Sequence, residues 1–138
     1  ATDSTFEAYT AFGVPLGEAF QLRDDLLGVF GDEAETGKPA GDDIREGKRT
    51  VLIALAQGRA SAADRATLDV LVGDHRLSPD DIEAVRDILV RTGARDEVEM
   101  SITANRDRAF AALATSAITS SAADMLHQLA IAATERTA

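Results

Sequence analysis

The sequence predicts an all-α fold, and three observations support this prediction. Alanine and leucine dominate a hydrophobic content of 45%, whereas aromatic residues contribute only 4%. No segment alternates Val, Ile or Thr with polar residues between hairpin-type turns, as strands would. Apolar residues instead recur at spacings of three and four, which places them on one helix face. The 138 residues fit a single helical domain over residues 1–138.

The first predicted helix covers about Thr5 to Gly28 and has an apolar stripe. A kink or restart is expected at Gly13-Val14-Pro15, because a proline inside a helix removes a backbone donor and crowds the preceding turn. The stripe consists of Phe6, Tyr9, Phe12, Leu16 and Phe20. The segment from Gly31 to Gly47 contains four glycines and one proline. It is therefore predicted to be an ordered loop of unusual length, and such loops in compact helical domains are usually functional or disordered.

Five more helices are predicted from start and stop signals, which gives six in all. Ser78-Pro79-Asp80-Asp81 is the clearest start, with an N-cap serine, a proline at the first helical position and acids in the first turn. Ser120 and Ser121 are predicted to cap the last helix. The five helices cover about Lys48 to Gln57, Ser61 to Val72, Ser78 to Thr92, Ala94 to Thr115, and the residues after Ser121 to Thr134.

The charge balance and the absence of cysteine exclude several function classes. The chain has 14 basic and 24 acidic side chains and a formal net charge of −10, which would repel nucleic acid and anionic lipid. With no Cys, disulfides and thiolate sites are excluded. No apolar run approaches the roughly 20 residues that span a bilayer, and the start lacks a secretory pattern. A soluble, cytoplasmic protein is expected.

The end of the first helix carries two adjacent acids that need an explanation. Asp24 lies three residues after Gln21 and four after Phe20, so the three side chains project from nearly one face. Asp25 is turned about 100° away. Two acids near a helix C-terminus oppose the helix dipole, at a cost of about 0.3–1 kcal/mol each. A hard divalent cation held by oxygen ligands would offset that cost.

The following loop supplies the opposite charge. Lys38 and Lys48 both follow glycines, which let the backbone approach a phosphate group closely. Together with the acids, these lysines are consistent with a clamp for a metal-bound diphosphate. The alternative is that Asp24 and Asp25 end a surface helix and that the loop is merely solvated. Asp-Asp pairs are common, so composition and spacing alone leave both interpretations open.

The run AFQLRDDLLGVFGDEAETGKPAGDDIREGKRT resembles the second aspartate-rich motif and following loop of the trans-isoprenyl diphosphate synthases, or polyprenyl synthetases, which include the farnesyl and geranylgeranyl diphosphate synthases. Phe-Gln, Asp-Asp, Gly-Asp, Thr-Gly-Lys, Gly-x-Asp and Gly-Lys-x-Thr occur in the family's order, and the match is dense over about Gly13 to Leu55. From Ala56 to Ala138 the chain agrees only in being helical. The resemblance implies the C-terminal part of an isoprenoid-synthase-type helical bundle, with the motif and loop at residues 20–50.

The resemblance also implies an activity and a set of residue roles. The expected enzyme is a Mg²⁺-dependent prenyltransferase of isoprenoid biosynthesis that condenses isopentenyl diphosphate with an allylic diphosphate, as a homodimer at full length. Asp24 would be the principal magnesium ligand and, with Lys38, a catalytic residue. Asp25 and Asp43 would complete the metal site through water or its network. The substrate-binding residues would be Phe20, Gln21, Lys38 and Lys48.

The chain departs from the family pattern in two ways. The third acid of the common Asp-Asp-x-x-Asp motif is Gly28 here, which implies weaker binding of a third magnesium ion or help from Asp32. The family enzyme is also about twice as long, and its first aspartate-rich motif and its Gly-Lys-x-x-Arg segment are missing. The chain therefore resembles the C-terminal half of a synthase and is expected to be inactive alone.

Three other functions remain alternatives. One is a non-catalytic, diphosphate-binding or regulatory subunit of a heteromeric synthase, although such a subunit would not need Asp24, Lys38 and Lys48. Another is a class I terpene cyclase, but its spaced Asn/Asp, Ser/Thr, Glu triad is not found. The last is a helical interaction domain without a ligand, in which Asp24→Ala would leave magnesium and diphosphate binding unchanged.

Overall fold

The computed structural model describes residues 3–114 and 119–135, and these residues form eight helices and no strand. The predicted all-α class is confirmed. No helix in these residues is long and apolar enough to cross a bilayer. The helices are α1 (Asp3–Phe30), α2 (Glu33–Thr36), α3 (Asp42–Glu46), α4 (Val51–Arg59), α5 (Ala62–Leu71), α6 (Pro79–Arg91), α7 (Ala94–Ala114) and α8 (Ser120–Thr134).

Helix α1 continues through Pro15 rather than restarting there. Pro15 is buried, so the packing of its surroundings keeps the chain helical where one backbone donor is missing. The helix also runs two residues past the predicted end at Gly28. The amide of Gly31 closes its last turn by donating to the carbonyl of Leu27 at 2.9 Å.

The predicted loop between Gly31 and Gly47 contains two short helices, α2 and α3, and this accounts for the difference between six predicted and eight observed helices. Each of the two is about one turn long, too short to give a periodic apolar pattern in the sequence. Helix α3 is bounded by Gly41 and Gly47, whose φ angles of 70° and 68° lie in the left-handed region. Glycine adopts that region without steric cost, so these two residues start and stop the helix.

Three helix starts test the predicted caps. Ser78 caps α6 as predicted, and its hydroxyl accepts from the amide of Asp81 while the Asp81 carboxylate accepts from the amide of Ser78. Helix α4 starts at Val51, later than the predicted Lys48, because Thr50 provides the cap. The predicted caps of the last helix are wrong, since Thr119 is its N-cap. Ser120 and Ser121 lie inside that helix, and the predicted end of α7, Thr115, lies outside the described residues.

The described chain divides into two compact units, and α1 and α7 each contribute to both. The first unit comprises residues 3–23, 100–114 and 119–135. Its core is a cluster formed by Phe12, Ala109, Leu113 and Ala130. Of the predicted apolar stripe, only Phe12 and Leu16 belong to this core, while Phe6, Tyr9 and Phe20 are exposed. A single domain over residues 1–138 stays a prediction.

The second unit comprises residues 24–99 and contains the sequence motifs. Helices α4, α5 and α6 pack against one another in it. Its largest fully buried side chains belong to six helices, so the end of α1 and the short helix α3 are part of the same core as the longer helices. They are Leu26, Val29, Ile44, Leu52, Leu68, Val85, Leu89 and Val98.

The capping box of α6 gives a stability prediction. Ser78→Ala removes the acceptor for the Asp81 amide and should lower the free energy of unfolding by about 1 kcal/mol. The matched control is Ser121→Ala, an exposed serine inside α8, where alanine is the better helix former and no loss is expected. Urea unfolding measures both, and an equal effect of the two substitutions would contradict the role of the cap.

Candidate metal and diphosphate site

The two acids at the end of α1 differ in burial. Asp25 is 5% exposed, and Asp24 is half-buried. The neighbouring side chains of Leu26 and Val29 are fully buried in the second unit, so the same turn of α1 carries Asp25 inward with them. Asp24, one residue earlier, stays partly accessible to solvent. The interpretation of the pair as the solvated end of a surface helix is therefore wrong for Asp25.

Two arginines supply positive charge at the C-terminus of α1. The Nε of Arg86, on α6, donates to the carbonyl of Val29 at 2.7 Å. The guanidinium of Arg95, on α7, lies 4.2 Å from the centroid of the Phe30 ring. Cations near the last turn of a helix interact favourably with its dipole. They offset part of the cost of placing Asp24 and Asp25 near the same end.

Helix α3 is fixed to the second unit by one buried side chain and by backbone hydrogen bonds. Ile44 is buried, and its carbonyl accepts from the amide of Gly73, in the α5–α6 connection, at 2.7 Å. A Cβ at Gly47 would lie 3.0 Å from Cα of Gly73, so the two backbones approach closely. The amide of Lys48 donates to the carbonyl of Asp43 at 3.0 Å. The loop is thus held in place at both Asp43 and Lys48, contrary to a merely solvated loop.

Lys48 joins the carboxylates of α1 and α3. Its Nζ lies 3.7 Å from Oδ1 of Asp25 and 3.7 Å from Oδ2 of Asp43. Asp43 is buried, and its Oδ2 has no hydrogen-bond partner among the described residues. Burial raises the pKa of the Asp43 carboxyl above its ordinary 3.8, against the opposite effects of Lys48 and Lys38. A buried carboxylate oxygen without a hydrogen bond is energetically costly, so this atom is an available acceptor.

The remaining predicted residues lie in different surroundings. Lys38 is exposed in the turn after α2, where its amide donates to Oγ1 of Thr36 at 3.1 Å. Its positive charge favours the ionised form of Asp43 and so lowers the pKa of that carboxyl. Phe20 and Gln21 are exposed on the part of α1 that belongs to the first unit. The structure therefore brings together Asp25, Asp43 and Lys48 of the predicted set.

Two acids that the sequence analysis did not select lie beside Asp43. Carboxylate oxygens of Asp42, Asp43 and Glu46 lie within 4.8 Å of one another. An all-oxygen donor set suits a hard divalent cation such as Mg²⁺ or Ca²⁺, so these residues fit the cofactor that the resemblance implies. Their spacing of i, i+1 and i+4 places them on neighbouring faces of a helix, but this signal is visible only if residues 42–46 are known to be helical.

The fold matches solved structures of helical prenyl synthases. A geranylgeranyl pyrophosphate synthase from Corynebacterium glutamicum, solved with isoprenyl diphosphate and magnesium, is 46% identical with a TM-score of 0.94 over 99% of this chain and 39% of that chain. A polyprenyl synthase from Caulobacter crescentus, solved with calcium and isoprenyl diphosphate, is 32% identical with a TM-score of 0.84 over 99% and 42%. The fold class is thus the all-helical prenyltransferase fold.

Sequence comparison gives the family. The polyprenyl synthetase family model matches residues 1–89. Geranylgeranyl diphosphate synthase of Saccharolobus solfataricus is 37% identical over 89 residues, which are 64% of this chain and 27% of that protein. A (2E,6E)-farnesyl diphosphate synthase of Mycobacterium tuberculosis is 37% identical over 98 residues, 69% of this chain and 27% of that protein. The chain belongs to the polyprenyl synthetase family, and it spans about a quarter of the length of these curated relatives.

The raised pKa of Asp43 predicts how stability depends on pH. The folded protein favours the protonated carboxyl, so this group's contribution to stability is complete below pH 4 and is lost as the pH rises through the raised pKa. The free energy of unfolding of the wild type should therefore fall relative to that of Asp43→Asn as the pH rises above about 4.

Urea unfolding at several pH values in the presence of a chelator measures the difference. Asp80→Asn, at an exposed acid in the first turn of α6, shows how much the loss of any one negative charge changes the profile. Parallel pH profiles for the wild type and Asp43→Asn would show that ionisation of the buried Asp43 does not lower the free energy of unfolding.

Proposed function

We propose that the chain supplies the second aspartate-rich motif and the diphosphate-binding loop of a Mg²⁺-dependent prenyltransferase, which condenses isopentenyl diphosphate with an allylic diphosphate. The main support is the placement of Lys48 at 3.7 Å from both Asp25 and Asp43, with a buried oxygen of Asp43 left without a hydrogen bond. Such a site has both an unused anionic ligand and a cation. The solved relatives with isoprenyl diphosphate and a divalent cation favour the same chemistry.

The acids would bind the metal. Asp24 is half-buried and therefore accessible to an ion, and we assign to it the direct ligand role. Asp25 and Asp43 are more buried and would act on the ion through water or by fixing its ligands. The bound cation would supply positive charge to the diphosphate leaving group.

The lysines would bind the leaving group. Lys38 is exposed in the turn after α2 and is assigned to the allylic diphosphate, and Lys48 adds a second positive charge. In the condensation, the carbon–oxygen bond of the allylic diphosphate breaks and its electron pair leaves with diphosphate. The double bond of isopentenyl diphosphate forms the new carbon–carbon bond, and a proton is then lost. Ammonium groups held next to the leaving group stabilise the charge that develops there.

The remaining assignments belong to the same proposal. Phe20 and Gln21 would line the allylic side of the substrate cavity, where apolar surroundings keep water from the cation. The whole enzyme would act as a homodimer in the cytoplasm. The chain alone would be inactive, because the opposing aspartate-rich motif and the second substrate site lie outside these 138 residues.

Substitution of Asp24 tests the metal assignment. Asp24→Ala should weaken Mg²⁺-dependent binding of inorganic pyrophosphate by at least about tenfold, because a carboxylate ligand is removed. The matched control is Asp80→Ala, which removes the first acid of the Asp80-Asp81 pair at the start of α6 and should leave binding unchanged. Isothermal titration calorimetry with and without Mg²⁺ measures the affinity, and equal binding by the wild type and Asp24→Ala would contradict the site assignment.

Complementation tests the activity. The chain alone should give no prenyl product from isopentenyl diphosphate and allylic diphosphates of different length. Co-expression with the segment of a full-length relative that carries the first aspartate-rich motif should restore product formation, measured by incorporation of labelled isopentenyl diphosphate. Asp24→Ala should abolish the restored activity. Product formation that survives Asp24→Ala would instead indicate a non-catalytic, diphosphate-binding role for this chain.

A further inference from the structure

The carboxyl group of Asp43 fills the space in which a side chain at residue 28 would lie. A Cβ built on Gly28 would be 2.0 Å from Oδ2 of Asp43, 2.3 Å from its Cγ and 2.9 Å from its Oδ1. Contacts below 3.0 Å essentially never occur for a real Cβ atom. Any residue other than glycine at position 28 must therefore displace this carboxyl group.

The backbone of Gly28 gives no other reason for a glycine. Residue 28 lies inside α1 and is not among the glycines with positive φ, which are Gly37, Gly41, Gly47, Gly73 and Gly93. Within a helix, alanine is more favourable than glycine, because glycine loses more backbone entropy. Gly17, on the same helix, has nothing within 4 Å of a Cβ position. At Gly28, by contrast, the Asp43 carboxyl group occupies the Cβ position.

The contact fixes where the Asp43 carboxylate lies. Residue 28 is four residues after Asp24, so it belongs to the same face of α1. The Asp43 carboxylate thus occupies, from α3, a place on the helix face that carries Asp24. In that place its Oδ2 is 3.7 Å from Lys48 Nζ, which is also 3.7 Å from Asp25. Asp32, expected to compensate for Gly28, is exposed.

We propose that Gly28 is a positioning residue, whose missing side chain makes room for the Asp43 carboxylate beside α1. Asp43 then supplies from α3 a carboxylate that α1 lacks at residue 28. The inference rests on the proposed function for its effect on ligand binding. Its steric part stands on the Gly28–Asp43 contact alone. Because the carboxylate is the end of a short flexible side chain, Gly28→Ala should rotate it away and leave the helix folded.

A double-mutant cycle tests this proposal in the full chain. Four proteins are compared by calorimetry with Mg²⁺ and inorganic pyrophosphate: the wild type, Gly28→Ala, Asp43→Ala and the double variant. Gly28→Ala should lower the affinity by about tenfold or more, as for residues that orient a metal ligand. It should have no further effect in the Asp43→Ala background, where the displaced group is absent. Gly17→Ala is the matched control and should bind as the wild type does.

Two binding results would overturn the proposal. One is an unchanged affinity in Gly28→Ala, and the other is an equal loss from Gly28→Ala in both backgrounds. Far-UV circular dichroism verifies that each variant is helical. If the wild type itself binds no pyrophosphate, the proposed function fails, and unfolding then decides the steric inference separately. Gly17→Ala should raise the unfolding midpoint in both the wild-type and the Asp43→Ala backgrounds. Gly28→Ala should raise it only in the Asp43→Ala background. Equal shifts of the midpoint by Gly28→Ala in both backgrounds would overturn the steric inference.

Discussion

The buried carboxylates of Asp25 and Asp43, both next to Lys48, are the constraint on which the second unit depends. Burial disfavours the charged form of the Asp43 carboxylate, and the charges of Lys48, whose Nζ is 3.7 Å away, and of Lys38 offset only part of that cost. The pKa of Asp43 is accordingly raised. A fold that keeps such a pair must hold it with other interactions, and here these are the burial of Ile44 and the hydrogen bond from Gly73 to its carbonyl.

The longer helices of this unit also serve the site. Helix α6 carries Arg86, which donates to the carbonyl of Val29 in the last turn of α1, and the start of α7 carries Arg95, which lies over Phe30. Both contacts hold the end of the helix that bears Asp24 and Asp25, and both place positive charge near the negative, C-terminal end of the helix dipole. Side chains more than fifty residues away in the sequence therefore help to fix the end of α1 that carries Asp24 and Asp25.

The features that could be predicted from the sequence are those that are determined by residues close together in the chain. Ser78 and Asp81 form the expected capping box because all of its atoms lie within four residues. The stripe on α1 was predicted only in part, because whether Phe6 or Tyr9 is covered depends on tertiary contacts that periodicity does not contain. For the same reason the grouping of Asp42 and Glu46 with Asp43 was missed, since it depends on α3 being helical between two left-handed glycines. Asp25, Asp43 and Lys48 were selected by motif, and their common location is a result of the fold.

Gly28 shows that the carboxylates beside the end of α1 have to be identified from the three-dimensional structure and not from the sequence motif alone. In the sequence, a glycine at the third acid position is a lost carboxylate on α1. In the structure, a carboxylate does lie on that part of the helix, and it comes from Asp43 on α3. The missing side chain of Gly28 and the buried carboxylate of Asp43 thus belong to the same packing contact. Substitution at either residue changes the environment of the other, so neither can be assigned a separate contribution to the site.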